Sequence, residues 1–126
     1  MRPTELIDAA FHDHAEMHAV LERLRAAVGS TDRELAHSLL GQLLMIEARH
    51  YATEEALMRA VAYADADEHR REHAAMLDTL TRIVETVALE NLASISPQIV
   101  AHLESALAHM MDTDHRLNRF ASASAR

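Results

Sequence analysis

The sequence predicts an all-α protein, folded as an antiparallel bundle of four helices that run alternately up and down. Of its 126 residues only two are glycine and two are proline, and 3% are aromatic. Such a composition leaves little material for turns or strands and much for helices. Apolar residues recur every three or four positions in four long stretches separated by short polar segments. Four amphipathic helices with short loops bury their apolar faces well in such a bundle.

The first two predicted helices have recognisable start and stop signals. The first covers about 4–28 and is followed by Gly29, since glycine often ends a helix. The second begins near Thr31 or Asp32 and continues to Val61, because either side chain can cap a helix N-terminus with its oxygen. The connection between the two helices is therefore expected to be a tight turn.

The second half of the sequence predicts two more helices. The apolar pattern lapses over 62–67 and resumes in a third helix that reaches about Val87. The clearest break follows, where Ser96 can cap a fourth helix and Pro97 can occupy its first position. The fourth helix is expected to reach Phe120.

Chain length and pattern predict one domain over 1–120, followed by a short tail. A domain of this size can bury a modest hydrophobic core. The tail over 121–126 is low in sequence complexity, and such chain ends fray unless they are packed down. Neither a second domain nor an internal repeat is predicted.

Charge and residue usage exclude several classes of protein. The formal net charge of −8 disfavours nucleic acids and anionic membranes as partners. The sequence has no apolar run long enough to span a membrane and no secretory signal pattern, so we expect a cytoplasmic location. Cysteine is absent, so any bound metal must be held by imidazole and carboxylate groups, which suit iron, manganese and zinc alike.

Histidine is the residue type whose count is abnormal. There are ten, scattered through the predicted helices rather than gathered in a terminal tag. His50 and Glu54 are four residues apart and so lie on one face of the second helix, and His69 and His73 do the same on the third. These two pairs are candidates for a metal site inside the bundle.

The positions of the two pairs predict that they meet across the bundle. In an antiparallel pair of helices, residues equally far from the turn lie at the same level. His50 and His73 have their midpoint at 61.5, and so do Glu54 and His69, close to the predicted turn at 62–67. Two unrelated surface pairs would have no reason to match in this way.

The first helix offers two histidines for the same level. Measured from the turn near residue 31, His14 lies about as far back as His50 lies ahead, whereas His18 lies about 6 Å lower at 1.5 Å per residue. His14 therefore fits better, and His18 is the alternative. On the fourth helix His109 and Asp114 are 140° apart, so they could converge only by approaching different sides of a metal cluster.

These motifs, in this order, resemble those of the hemerythrin family in its bacterial single-domain form, over about 7–120. The family pattern is a lone histidine with a bulky apolar residue three later, then HF-x-x-EE-x-x-M, a tyrosine six residues before H-x-x-x-H, and H-x-x-x-x-D. Here the pattern reads His14 with Met17, then His50-Tyr51-x-x-Glu54-Glu55-x-x-Met58, Tyr63 before His69-x-x-x-His73, and His109-x-x-x-x-Asp114.

The resemblance implies a cofactor of two non-haem iron ions joined by an oxo or hydroxo bridge. It assigns His69, His73 and His109 to one iron, His14 and His50 to the other, and Glu54 and Asp114 as bridges. The second iron would then keep an open position for O2. Reversible O2 binding for storage, delivery or sensing is the function implied.

The predicted O2 pocket departs from the family pattern. Ser105 stands where the family usually has tryptophan, and His18 stands where an apolar residue is common. Met17, His18 and Met110 are expected to line a pocket that is more polar or more open than usual. Two alternatives therefore stay open: a di-iron enzyme that reduces peroxide, O2 or nitric oxide, and an O2-sensing or redox-sensing module of a signalling protein. O2 is the predicted partner, and O2 binding is favoured over enzymatic activity.

Overall fold

Four α-helices make up the computed structural model, which describes residues 2–89 and 97–124. The all-α prediction and the number of helices are confirmed. The helices are α1 (Pro3–Gly29), α2 (Arg33–Val61), α3 (Ala66–Leu89) and α4 (Pro97–Ser124). None of the helices in the described part of the chain is long and apolar enough to cross a membrane.

The α1–α2 turn is as short as predicted but does not use a glycine in the way expected. α1 ends at Gly29, yet no described glycine has a positive φ, and the left-handed residue of the turn is Thr31, with φ 56°. The side chain of Asp32, rather than Thr31, accepts a hydrogen bond from the backbone N–H of Leu35 (3.2 Å). Asp32 is therefore the N-cap of α2.

The second turn, between α2 and α3, also depends on a residue with positive φ. Ala62 has φ 52°, and the N–H of the next residue, Tyr63, donates to the carbonyl of Met58 (3.0 Å). This arrangement satisfies carbonyl groups that the end of a helix would otherwise leave unpaired. The carbonyl of Asp65 then accepts from His69 N–H (3.0 Å) at the start of α3.

The first residue of α4 matches the prediction, whereas its last residue lies beyond the predicted end. Pro97 opens the helix as predicted. The predicted break at 91–96, including the cap Ser96, lies outside the described residues. The helix continues to Ser124 rather than ending at Phe120, and Ala121 is fully buried. Fraying of the tail at 121–126 stays a prediction.

Contacts between α1 and α4 show that these two helices run in opposite directions. As residue numbers rise along α1, those of their α4 partners fall: His14 contacts Asp114, His18 contacts Met111, and Arg25 pairs with Glu104. α1 also packs along α2, and α2 packs along α3. This order of contacts supports the predicted antiparallel bundle.

The core consists of two apolar clusters with a polar layer between them. The larger cluster includes Leu24, Leu39, Leu43, Leu80 and Leu103, and the smaller includes Leu6, Leu57, Met58 and Leu117. Burying a leucine stabilises the fold by about 2 kcal/mol. On α1, α2 and α4 the buried acidic and histidine residues lie, in sequence, between the residues of the two clusters. The apolar clusters thus hold a layer of polar side chains away from water.

Candidate metal centre

Six of the seven predicted ligands meet in the buried polar layer. Their ligand atoms form two groups, each with its atoms within 4.8 Å of one another, and Asp114 belongs to both. One group contains Glu54, His69, His73 and Asp114, and the other contains His14, His50 and Asp114.

Glu54 lies at the centre of three imidazoles. Its side chain is 0% exposed, and its Oε1 lies 3.1 Å from Nε2 of His50. The Nε2 atoms of His69 and His73 lie 3.3 Å and 3.0 Å from the same oxygen. Three histidines on α2 and α3 therefore point the same ring nitrogen at one place, as the level-matching argument predicted.

Asp114 connects this group to α1. Its Oδ2 lies 2.8 Å from Nε2 of His14 and 2.9 Å from Nε2 of His50. Its Oδ1 lies 3.1 Å from Nε2 of His69. Each of the two carboxylates thus touches histidines of both groups, which is the placement that bridging between two metal ions requires.

The chemistry of these residues fits a metal cluster. Imidazole nitrogen and carboxylate oxygen are the donors that iron, manganese and zinc accept. Several polar atoms here, Glu54 Oε2 and the Nδ1 atoms of His69 and His73, are buried without a hydrogen-bond partner among the described residues. Unpaired buried polar atoms are costly, so a cation bound among the carboxylates and the Nε2 atoms would give Glu54 Oε2 a partner. The two Nδ1 atoms lie on the outer side of their rings and would not contact such a cation.

The charges within the layer support the same interpretation. Burial lowers the pKa of His50, but hydrogen bonds with Asp114 and Glu54 outweigh this effect and raise it to about 10. The pKa of His69 is raised in the same way to about 9. Burial would raise the pKa of Asp114, yet its histidine partners hold it well below the usual range. Hydrogen bonds with the imidazoles thus favour the ionised form of both carboxylates, which is the form that binds a metal ion.

Asp13 contacts the outer ring nitrogen of His50, a histidine of the layer, and the sequence analysis missed it. Its Oδ2 lies 3.3 Å from Nδ1 of His50, and its Oδ1 accepts a hydrogen bond from Arg49 Nε (3.0 Å). A carboxylate on the outer nitrogen of a histidine orients the ring and turns the other nitrogen towards a metal. The only sequence signal was that Asp13 immediately precedes His14.

A small cavity adjoins the His14 and His50 side of the layer. Its volume, about 10 Å³, is enough for about one water-sized molecule. The predicted pocket residues Met17, His18 and Met110 all line it, together with Met111 and Leu107. His18 is exposed, and its Nε2 lies 3.2 Å from the sulfur of Met111, so the structure brings His14 rather than His18 to Asp114.

Two further polar residues lie in or next to the wall of this cavity: Glu47, which the sequence analysis did not single out, and Tyr51, which it named only as part of the motif. Glu47 lines the cavity and is 1% exposed, and burial raises the pKa of its carboxyl to about 7. Tyr51 stacks on His73 with ring centroids 3.9 Å apart, and its hydroxyl donates to the sulfur of Met110 (3.1 Å). The signal for Glu47 was its position three residues before His50, on the same face of α2.

His109 is the one predicted ligand that the structure does not bring to the centre. It is exposed and belongs to neither group of ligand atoms. It lines two clefts between α3 and α4, each shared with Glu72 and with volumes of about 180 and 240 Å³. The physical reason is the 140° between His109 and Asp114: with Asp114 turned inward, His109 faces the clefts. Its role as a ligand stays a prediction.

Comparison with known proteins settles the family. The family profile described as "Hemerythrin HHE cation binding domain" matches residues 5–121, nearly the whole chain. The chain belongs to the hemerythrin family. Among curated proteins, the myohemerythrin of Theromyzon tessulatum is 26% identical to this chain over 74 residues, which cover 59% of this chain and 62% of that protein. No solved structure gives a significant match.

Proposed function

We propose that this protein holds two iron ions in the polar layer and binds O2 reversibly beside them. The observation that supports this most is the placement of the two carboxylates. Glu54 and Asp114 each touch histidines of both ligand groups, so they are in position to bridge two metal ions. The family description, a cation-binding domain, is consistent with this use of the layer.

The residues divide between the two metals as the family resemblance implies. One iron would be held by His69 and His73, with His109 as the further ligand, and the other by His14 and His50. Two iron ions held there would supply O2 with two electrons on binding and recover them on release. The protein contributes the bridges, the orientation of the imidazoles and the exclusion of water.

The size and lining of the cavity favour a very small ligand. With a volume of about 10 Å³, about the lower limit for a single water molecule, it leaves no room for an organic substrate. Its wall includes Met17, Leu107 and Met110, all buried apolar side chains. Excluding water from such a site protects a bound ligand from protons, which favours reversible binding. Storage, delivery or sensing of O2 is the role that follows, and a cytoplasmic location stays a prediction.

One observation favours a second function, reduction of peroxide, O2 or nitric oxide by the same centre. Glu47 places a carboxyl group in the wall of the cavity, and burial raises its pKa to about 7. A group of this kind can exchange protons near neutral pH, which assists turnover. His18 adds a second polar group at the exposed edge.

Exposure of the reduced, iron-loaded protein to O2 separates the two functions. Reversible binding predicts a visible absorption band that persists for minutes and disappears when O2 is removed, with the iron still reduced. A band that bleaches within seconds, with iron oxidised and peroxide consumed or released, would contradict O2 carriage and favour the enzyme. The Glu54→Gln variant is the control, because it lacks a bridging carboxylate.

A further inference from the structure

We propose that Arg49 is a positioning residue that sets, through Asp13, the reduction potential of the metal held by His14 and His50. The inference rests on the proposed two-metal centre and deepens it, because the ease with which the metals give up electrons determines how tightly they hold O2. It adds a residue that neither the sequence motifs nor the family resemblance assigns. It also leaves the coordination position proposed for O2 free.

The first step is that Asp13 connects Arg49 to His50, because its two oxygens have different partners. Oδ2 lies 3.3 Å from Nδ1 of His50, whose Nε2 faces the carboxylates of the polar layer. Oδ1 accepts hydrogen bonds from Nε (3.0 Å) and from Nη2 of Arg49. Asp13 is only 3% exposed, so little water screens its charge. A change in the charge on Asp13 should therefore act on the imidazole of His50.

The second step is that Arg49 reaches this buried carboxylate from the protein surface. Its side chain is 53% exposed, and its Nη2 also donates to Oε2 of Glu16 on α1 (3.0 Å). Glu16, Arg49, Asp13 and His50 thus form one continuous line of contacts from solvent to the polar layer. Exposed ion pairs add little to the stability of a fold. We therefore expect a variant that loses the charge of Arg49 to fold normally.

The third step is the sign of the effect. A carboxylate at the outer nitrogen makes a histidine a stronger donor to its metal, which favours the oxidised metal ion. Arg49 draws negative charge away from that carboxylate and is itself positive, and both effects favour the reduced ion. Removing the charge of Arg49 should therefore lower the reduction potential, whereas removing the charge of Asp13 should raise it. Loss of packing alone would not produce opposite shifts.

The test is a spectroelectrochemical titration of the iron-loaded protein at low ionic strength, with iron content measured for every variant. Arg49→Gln keeps a hydrogen-bond donor for Asp13 but removes the charge. We expect it to hold two irons and to shift the redox equilibrium about threefold or more towards the oxidised form. Asp13→Asn, loaded with excess iron, should shift the equilibrium towards the reduced form. Arg59→Gln removes the same charge from an exposed residue of α2 and should match the unchanged protein.

Three further measurements separate an effect of charge from an effect of shape. Arg49→Lys keeps the charge and should restore most of the original potential. Glu16→Gln should shift the potential in the same direction as Asp13→Asn but less, because Glu16 is one contact further from His50 and its side chain is 36% exposed. High salt should reduce the effect of Arg49→Gln, since charges at the surface are screened by ions.

The results that would overturn the inference differ from those that would overturn the proposed function. An unchanged or higher potential in Arg49→Gln, with two irons bound, would reject the inference and leave the two-iron centre intact. An equal shift in Arg59→Gln would reject it as well, because the effect would not depend on contact with Asp13. Fewer than two irons in the unchanged protein would reject both. If Asp13→Asn does not hold its iron, the opposite shifts of Arg49→Gln and Glu16→Gln decide.

Discussion

The two sides of the candidate metal centre differ in how completely the protein encloses them. On the α1 side, His50 has Asp13 at its outer ring nitrogen, and the adjoining cavity has a volume of only about 10 Å³. On the α3 side, the outer nitrogens of His69 and His73 have no partner among the described residues. Clefts of about 180 and 240 Å³ lie alongside, and His109 faces them.

This difference teaches that the protein fixes the ligands of one metal more firmly than those of the other. Outer partners orient a metal-binding histidine and raise its affinity for the metal. The α1 side therefore has the features of a preorganised small-molecule site. The α3 side has its ligands grouped around Glu54 but is open to solvent next to them. The two carboxylates, Glu54 and Asp114, are the groups that the two sides share.

Removing a shared carboxylate should weaken the binding of both metals at once. Because Glu54 contacts His50, His69 and His73, we expect Glu54→Ala to weaken binding of both metals by more than about 100-fold, beyond the loss typical of an outer partner. Metal content after dialysis measures the effect, with Glu55→Ala as the control. A Glu54→Ala protein that keeps two metals would show that this carboxylate is not a bridge.

Replacing His109 tests whether this residue binds the metal on the α3 side. The family resemblance makes His109 a ligand beside His69 and His73, which requires it to move inward from the cleft. We therefore expect His109→Ala to lose one of the two metals. His102→Ala is the matched control, because His102 is also exposed on α4 and lines the same larger cleft. Two tightly held metals in His109→Ala would establish the exposed position as the functional one.

Replacing Asp13 tests whether its contact with His50 strengthens metal binding on the α1 side. Asp13→Asn keeps the shape of the side chain but removes the charge that contacts His50 and Arg49. We expect a 10–100-fold loss of affinity for one metal only, the range found for outer partners of metal-binding histidines. Competition with a chelator measures it, and Asp8→Asn, exposed on α1, is the control. Equal weakening of both metals would mean that the two sides are not independent.

The smallest effect is expected at His18. Since His18 is exposed and contacts Met111 rather than Asp114, His18→Leu should keep both metals with unchanged affinity. Metal content and the optical spectrum check this result. Loss of one metal would show that His18, and not His14, is the ligand on α1.

Sequence reasoning succeeded where distance along a helix decides the outcome. The levels of His50, Glu54, His69 and His73 follow from residue spacing and one turn, and the structure brings these four side chains together. The same spacing argument selected His14 over His18. Helix ends were also predictable to within a few residues, since capping residues act locally.

What could not be predicted depends on how a helix is rotated against its neighbours. Asp13 and Glu47 are carboxylates in helices with many charged residues. Their spacing from His14 and His50 is too weak a signal to show that α1 and α2 bury them. The position of His109 depends on which face α4 turns inward, and spacing relates it only to Asp114. The left-handed conformation of Thr31 was not predicted, because the nearby glycine suggested that Gly29 would end the helix instead.

The iron content of the reconstituted protein, measured with its magnetic coupling, tests the central claim most directly. If Glu54 and Asp114 bridge two metals, each chain should hold two irons, and their spins should be coupled in the oxidised state. One iron per chain, or two that behave independently, would contradict the shared-carboxylate centre described above.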